Sequence, residues 1–182
     1  MGTINAAMTD DKEEGLAEAA IRAAGRIGGD DALMGLVIQL SGDNSKAAMA
    51  ALLAFKGKVN PGIMEALDNE ASQVAALHIA SVRRMSEAAP KVYSLLSSEN
   101  KEVSDAAYSA LAGVVSASDF DRLSQIIEKD GGKHTADLQA AMKSSLRNLP
   151  AAEQYRRVNA KLEKSSNPAL YYPSLAQAGN SS

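Results

Sequence analysis

Small and large apolar residues recur along the chain in one short pattern: two adjacent alanines followed by a large apolar residue. The five copies begin at Ala19, Ala47, Ala75, Ala106 and Ala140, so successive copies are 28, 28, 31 and 34 residues apart. A repeat of this length in a helix-forming composition is typical of stacked helical hairpins. The pattern therefore predicts an all-α protein of about five hairpins, arranged as a right-handed α-α superhelix.

Between these copies lies a second pattern, in which an apolar residue is followed three and four positions later by two more, as in Leu33, Leu36 and Val37. Residues at this spacing form one stripe on a helix. Each repeat is thus predicted to contain a short first helix and a longer second helix that carries the double alanine. We expect the second helices near residues 11–27, 45–56, 72–85, 102–116 and 135–148.

These hairpins, with a further helix near 151–164, define a predicted repeat domain of residues 1–164. Residues 165–182 contain Pro168 and Pro173 on either side of Tyr171 and Tyr172. Because proline cannot continue a helix from the preceding turn, this segment is predicted to be a non-helical tail or linker.

Residues 19–33, AAIRAAGRIGGDDAL, resemble the consensus of HEAT-like repeats, in particular the short bacterial form named the phycobilisome-lyase type. The resemblance extends over about residues 13–149 and is strongest in the first copy, since Lys56 and Arg84 stand where that copy has Gly28. It implies a HEAT-like, armadillo-like solenoid. It implies no particular activity, because such repeats occur in scaffolds, adaptors and accessory regions of enzymes.

The composition excludes several kinds of catalytic and binding site. The chain of 182 residues has no cysteine and two histidines, His78 and His134, so thiolate metal sites and thiol nucleophiles are excluded. Glycine-rich phosphate loops are absent as well. We therefore expect no catalytic residue, no metal site and no cofactor. The net charge of −3 argues against a nucleic-acid partner, and no apolar run approaches the roughly 20 residues that span a membrane.

One surface of the second helices carries a recognisable stripe. Residues just before each double alanine, then four and eight positions later, share a helix face. In HEAT-like stacks the second helices line the concave side, so this stripe predicts a groove with small or apolar residues at its centre and basic residues at both ends. The candidate groove residues are Arg22, Arg26, Ala50, Ala54, Val74, His78, Val82, Arg84, Ser109, Lys143 and Arg147.

Two interpretations of this stripe remain open. In the first, it binds a protein or peptide segment with acidic flanks, which the arginines orient through charge-assisted hydrogen bonds. In the second, the small residues only permit curvature, and the cations near helix ends only oppose the helix dipole.

The resulting functional hypothesis is a non-catalytic helical-repeat scaffold that mediates protein–protein interaction. The alternative hypothesis is an accessory or spacer domain of a larger exported bacterial enzyme, such as a carbohydrate-active one, whose other domains would be its partners. The expected location of the protein differs between these hypotheses. It is periplasmic or exported if the chain is a fragment of such an enzyme, and cytoplasmic otherwise.

Overall fold

A computed structural model describes residues 2–9 and 15–179. These residues form helices joined by turns, and none of them forms a strand, so the predicted all-α class is confirmed. The helices are α1 (Gly2–Ala7), α2 (Leu16–Ile27), α3 (Asp30–Ile38), α4 (Ser45–Ala54), α5 (Asn60–Ala66), α6 (Gln73–Val82), α7 (Ala89–Leu95), α8 (Lys101–Val114), α9 (Phe120–Lys129), α10 (Thr135–Leu146), α11 (Ala151–Leu162) and α12 (Tyr172–Gly179). Short 3-10 helices are formed by Gln39–Ser41, Ser86–Ala88, Ala117–Asp119 and Pro168–Tyr171.

A helix lies within or close to each segment where a second helix was predicted: these are α2, α4, α6, α8 and α10. The start of the first predicted segment, up to residue 14, lies outside the described residues. The chain divides into two compact units, Met1–Met85 and Ser86–Ser182. The predicted repeat domain of residues 1–164 extends over both units and stays a prediction.

In the first unit, each second helix contacts its neighbours along the chain. Helix α2 packs on α1, α3 and α4, and α4 packs on α3 and α6, while α5 packs on α3 and α6. The core between them is filled by large side chains such as Ile21, Leu36, Leu52, Ile63 and Leu77, none of which is exposed. Burial of this apolar surface is the main stabilising contribution, at about 25 cal/mol per Å².

The second unit repeats this order of contacts. Helix α8 packs on α7 and α10, α10 packs on α9 and α12, and α11 packs on α12. Its buried residues include Val92, Leu111, Phe120, Met142 and Val158. In both units, therefore, successive second helices lie side by side: α2, α4 and α6 in the first unit, and α8, α10 and α12 in the second.

The double alanines explain how closely these helices approach. The second alanine of every copy is buried. A larger side chain at these positions would push neighbouring helices apart, which explains why a small residue occurs there. The following large residue was expected to fill the core. Ile21, Leu77 and Met142 do so, whereas Met49 and Tyr108 are only half-buried.

The prediction of a non-helical tail is wrong for residues 168–179, which are helical, while residues 180–182 of the predicted tail lie outside the described residues. Pro168 begins the 3-10 helix Pro168–Tyr171, and Pro173 is the second residue of α12. Proline is compatible with the first turn of a helix because the N–H groups there have no intrahelical acceptor. Helix α12 packs on α10 and α11 and buries Ser174 and Ala178, so it is the second helix of a further hairpin whose first helix is α11.

Tyr171, just before α12, fixes this segment to the rest of its unit. Its ring is buried, and its Oη donates a hydrogen bond of 3.0 Å to Oε1 of Glu128. Burial and the neighbouring Glu128 carboxylate raise the pKa of Tyr171 to about 12. Gln139 adds a hydrogen bond of 3.1 Å to the carbonyl of Leu170.

Across residues 2–9 and 15–179, none of the helices combines the length and apolar character that a bilayer crossing requires.

Candidate binding groove

The first wall of the candidate site is α2, an amphipathic helix. Ala20, Ile21 and Ala24 are buried, while Arg22 and Arg26 lie on the exposed face. The helix ends where Gly28 and the following glycine adopt φ of +75° and +86°, a left-handed conformation that residues with a Cβ rarely adopt. The spacing of four residues thus places both guanidinium groups along one edge of the helix.

The second wall is α4, which lies unusually close to α2. A Cβ placed on Gly25 of α2 would be 3.0 Å from the Cβ of Ala51 on α4, closer than ordinary van der Waals contact. Glycine therefore fits here because it has no side chain, rather than because of its backbone freedom. This contact forms the floor of a groove, and the alanines beside it, Ala47, Ala50 and Ala54, leave the groove open above the floor.

The groove has a volume of about 640 Å³, within the range of ligand-binding pockets. Its floor is apolar, and its rim carries the cations Arg22, Arg26, Lys46 and Lys56 with a single carboxylate, Glu18. Arg22 Nη1 donates a hydrogen bond of 3.2 Å to Glu18 Oε2, and both side chains are largely exposed. Such an exposed pair contributes little to stability.

The other three rim cations differ from Arg22. Arg26, Lys46 and Lys56 are exposed, and they form no hydrogen bond or ion pair with any residue in the described ranges. The groove therefore combines an apolar floor with cations whose donors are available to a bound anion.

Arg83 holds the end of α4 and the segment after it, which carries Lys56. Its guanidinium donates to the carbonyls of Leu52 and Phe55 at 3.1 Å and, with longer bonds of 3.3 Å, to those of Leu53 and Gly57. The last carbonyls of a helix have no intrahelical donor, so this one side chain from the end of α6 caps α4. It also fixes the extended segment after α4.

The structure brings together only part of the predicted groove. Arg22, Arg26, Ala50 and Ala54 line it, whereas Val74, His78 and Val82 on α6 and Arg84 after α6 do not. Arg84 has a φ of +55°, so it occupies the left-handed position that ends α6, as Gly28 does after α2. Of the candidates in the second unit, Ser109 lines a separate cleft, while Lys143 and Arg147 are exposed and lie outside that cleft.

Sequence reasoning missed Gly25 and Ala51 as the closest contact beneath the groove, and it gave Lys56 no place in the groove. Lys46 belongs to the predicted stripe, as the residue just before the second double alanine, although it is not among the candidate groove residues. A glycine inside an otherwise strong helix pattern was the available signal for Gly25, since such a glycine usually has a packing reason. The position of Lys56 could not be read from the sequence, because it depends on the hydrogen bonds of Arg83.

A second cleft lies between α8 and α10 in the other unit, with a volume of about 640 Å³. Here most of the polar side chains bind each other or the backbone, whereas Glu99 and Lys133 line the cleft without a hydrogen bond or ion pair to a described residue. Asp105 pairs with Lys101, and Ser109 Oγ donates a hydrogen bond of 3.2 Å to Asp137 Oδ1. The Nε2 atom of His134 lies 3.5 Å from Oδ1 of Asp105.

His134 is held from behind by a buried carboxylate. Asp130, whose side chain is 3% exposed, accepts the backbone N–H of His134 at 2.7 Å and lies 2.9 Å from its Nδ1. Because a carboxylate only accepts, Nδ1 carries the proton that joins them. The imidazole also stacks on the ring of Tyr108, with centroids 3.7 Å apart.

These contacts lower the pKa values of the carboxyl groups of Asp130 and Asp105. Burial acts to raise the pKa of Asp130, but the hydrogen bonds from His134 outweigh it and lower the pKa. The hydrogen bond from Lys101 lowers the pKa of Asp105. Within the part of the chain that the structure describes, no group of three or more His, Cys, Asp or Glu side chains is arranged to bind a metal ion.

No protein-family model matches this chain, and no curated protein sequence matches it significantly. The groove between α2 and α4 and the cleft between α8 and α10 are therefore interpreted from their own geometry and charge.

Proposed function

We propose that this chain is a non-catalytic module of HEAT-like helical repeats that binds an acidic peptide segment of a partner protein in the groove between α2 and α4. The observation that carries the proposal is the combination of an apolar floor with three rim cations, Arg26, Lys46 and Lys56, that have no partner among the described residues. The repeat interpretation rests on the five alanine copies and on the side-by-side contacts of successive second helices.

The shape of the groove favours a peptide over a bulky apolar ligand. Its floor consists of alanine methyl groups and the bare backbone of Gly25, which provide little apolar depth. Affinity must then come mainly from charge. Arg26 lies on the α2 side and the two lysines on the α4 side, so acidic side chains spaced along a peptide can reach cations on both.

The test begins with selection of binders from a random peptide library on the immobilised protein. We expect the selected peptides to be enriched in Asp and Glu. A labelled peptide from this set is then titrated by fluorescence anisotropy against the parent and the double variant Arg26→Glu/Lys46→Glu. Reversing two charges at the rim should weaken binding by about tenfold or more, since each tenfold step corresponds to roughly 1.4 kcal/mol.

Lys58→Glu is the matched control, because Lys58 is an exposed cation of the same unit that does not line the groove. It reverses one charge, as each of the single variants Arg26→Glu and Lys46→Glu does, and unlike them it should leave the affinity nearly unchanged. Circular dichroism of each variant verifies the fold. Peptides without acidic enrichment, or equal losses in the control and the double variant, would contradict the proposal.

A further inference from the structure

The strongest concentration of positive charge outside the groove lies in the second unit, where α11 faces the start of α9. Arg156, Arg157 and Lys161 belong to α11, and Lys164 follows its end by two residues. They line a cleft of about 410 Å³ together with Ala160, Ser118 and one carboxylate, Asp121. We propose that this basic cleft binds a small phosphate-bearing molecule.

The two arginines are held in place from behind by one carboxylate. Glu153 accepts two hydrogen bonds of 2.8 Å from Nε and Nη2 of Arg156, and one of 2.6 Å from Nε of Arg157. The guanidinium groups of Arg157 and Arg156 lower the pKa of Glu153, which therefore stays ionised. Nη1 of Arg157 also donates to the carbonyl of Ala117 at 2.9 Å.

This arrangement leaves specific donors unused. Nη1 of Arg156 and Nη2 of Arg157 form no hydrogen bond with a described residue, and neither does the ammonium group of Lys164. Because the arginines are already ordered by Glu153, an anion that accepts from them does not have to order them first. Ala160, between Arg157 and Lys161, has a side chain too short to fill the cleft.

The number of cations favours a phosphate over a single carboxylate. Four cations and one carboxylate line the cleft, and a phosphate group carries more than one negative charge with several acceptor oxygens. The planar guanidinium group also matches the geometry of phosphate oxygens. The start of the 3-10 helix that leads into α9, Ala117–Asp119, adds little, since Ser116 and Asp119 already form a capping box there.

Asp121 is the one group that opposes an anion in this cleft. Its Oδ1 lies 2.6 Å from Nζ of Lys161, and its side chain is 75% exposed. Removing its charge would release Lys161 and abolish the repulsion. Asp121→Asn should therefore tighten phosphate binding, whereas a merely structural role for this ion pair predicts no gain.

The experiment uses inorganic pyrophosphate as the probe and isothermal titration calorimetry of the full chain. Lys161→Gln/Lys164→Gln should weaken binding by about tenfold or more, and Asp121→Asn should tighten it several-fold. Lys129→Gln is the control, because Lys129 is an exposed cation on α9 outside this cleft. It should bind pyrophosphate like the parent.

Absence of saturable pyrophosphate binding would overturn the proposal. Equal weakening in Lys129→Gln would also overturn it, because binding would then follow overall charge. A titration with duplex DNA tests whether the cleft instead belongs to a surface that binds long polyanions. Binding of the duplex without binding of pyrophosphate would overturn the proposal in favour of a polyanion surface.

Discussion

The two clefts between neighbouring second helices, one in each unit, make opposite use of polar residues. Between α2 and α4, the rim cations Arg26, Lys46 and Lys56 surround a floor of small residues and bind no described residue. Between α8 and α10, Lys101, Asp105, His134, Ser109 and Asp137 bind within their own unit. Both clefts have a volume of about 640 Å³, so size does not distinguish them.

The difference shows that a groove between such helices is a candidate binding site when its charged side chains have no partner within the protein. A ligand entering the α8/α10 cleft would have to replace hydrogen bonds and ion pairs that the protein already makes. A ligand entering the α2/α4 groove has only solvent to displace from three cations. For this reason the proposed peptide site lies in the first unit.

The largest effect is expected from closing the α2/α4 groove at its floor with Gly25→Leu. A Cβ at Gly25 would already be in tight contact with Ala51, at 3.0 Å from its Cβ, so the rest of a leucine side chain would overlap α4. The variant should force α2 and α4 apart and lower the free energy of unfolding by about 1–3 kcal/mol. Hydrogen exchange measured by mass spectrometry should show faster exchange in α2 and α4, with little change in α8 and α10.

Gly42→Ala is the corresponding control, because nothing lies within 4 Å of a Cβ at that position and its φ of −115° suits any residue. It should be nearly neutral. A Gly25→Leu variant with the stability and peptide affinity of the parent would show that the floor contact does not hold the groove together.

A smaller effect, about 1 kcal/mol, is expected from loosening the α8/α10 cleft with Asp130→Asn. The amide loses part of the hydrogen bonding that Asp130 provides to His134. The sign of the pH dependence follows from the lowered pKa of Asp130. Its stabilising contribution is complete above the unfolded value of about 3.8 and is lost as the pH falls through the lower folded value.

Thermal unfolding of the parent and Asp130→Asn should therefore differ most near neutral pH, and the difference should shrink below about pH 4. Carboxylates away from His134 are unaffected by the substitution, so the difference reports on Asp130 and its contacts with His134. A difference that is constant with pH would show that the ionised carboxylate contributes nothing to stability.

The smallest effect concerns Arg84, which was predicted to belong to the groove and lies outside it. Its φ of +55° is costly for a residue with a side chain. Arg84→Gly should stabilise the first unit by about 0.5 kcal/mol, because relief of backbone strain is partly offset by the greater freedom of glycine in the unfolded chain. Peptide affinity should not change. A loss of affinity would return Arg84 to the site and weaken the distinction drawn between rim cations and helix-end cations.

The helices could be predicted because their signals are local. Apolar residues at helical spacing and the double alanines placed α2, α4, α6, α8 and α10 correctly. Pro168 and Pro173 misled because proline is compatible with the first turn of a helix as well as with a break, and only packing against α10 and α11 distinguishes the two.

The sites were harder to predict from the sequence, because their contacts join residues that are far apart along the chain. The edge of α2 that carries Arg22 and Arg26 followed from spacing alone. Asp105 and His134 are 29 positions apart in the printed sequence, and nothing local indicates that they meet. Likewise, nothing local in the sequence indicates that the guanidinium of Arg83 caps another helix, 31 residues before it.

That cap has a consequence for the order in which the protein is made. Arg83 follows Leu52, whose carbonyl it binds, by 31 residues. During synthesis from the N-terminus, α4 therefore leaves the ribosome before its last carbonyl groups have their donor. A nascent chain that stops short of Arg83 has every residue of the groove but lacks the side chain that caps α4. The groove is completed only when the last turn of α6 has been added.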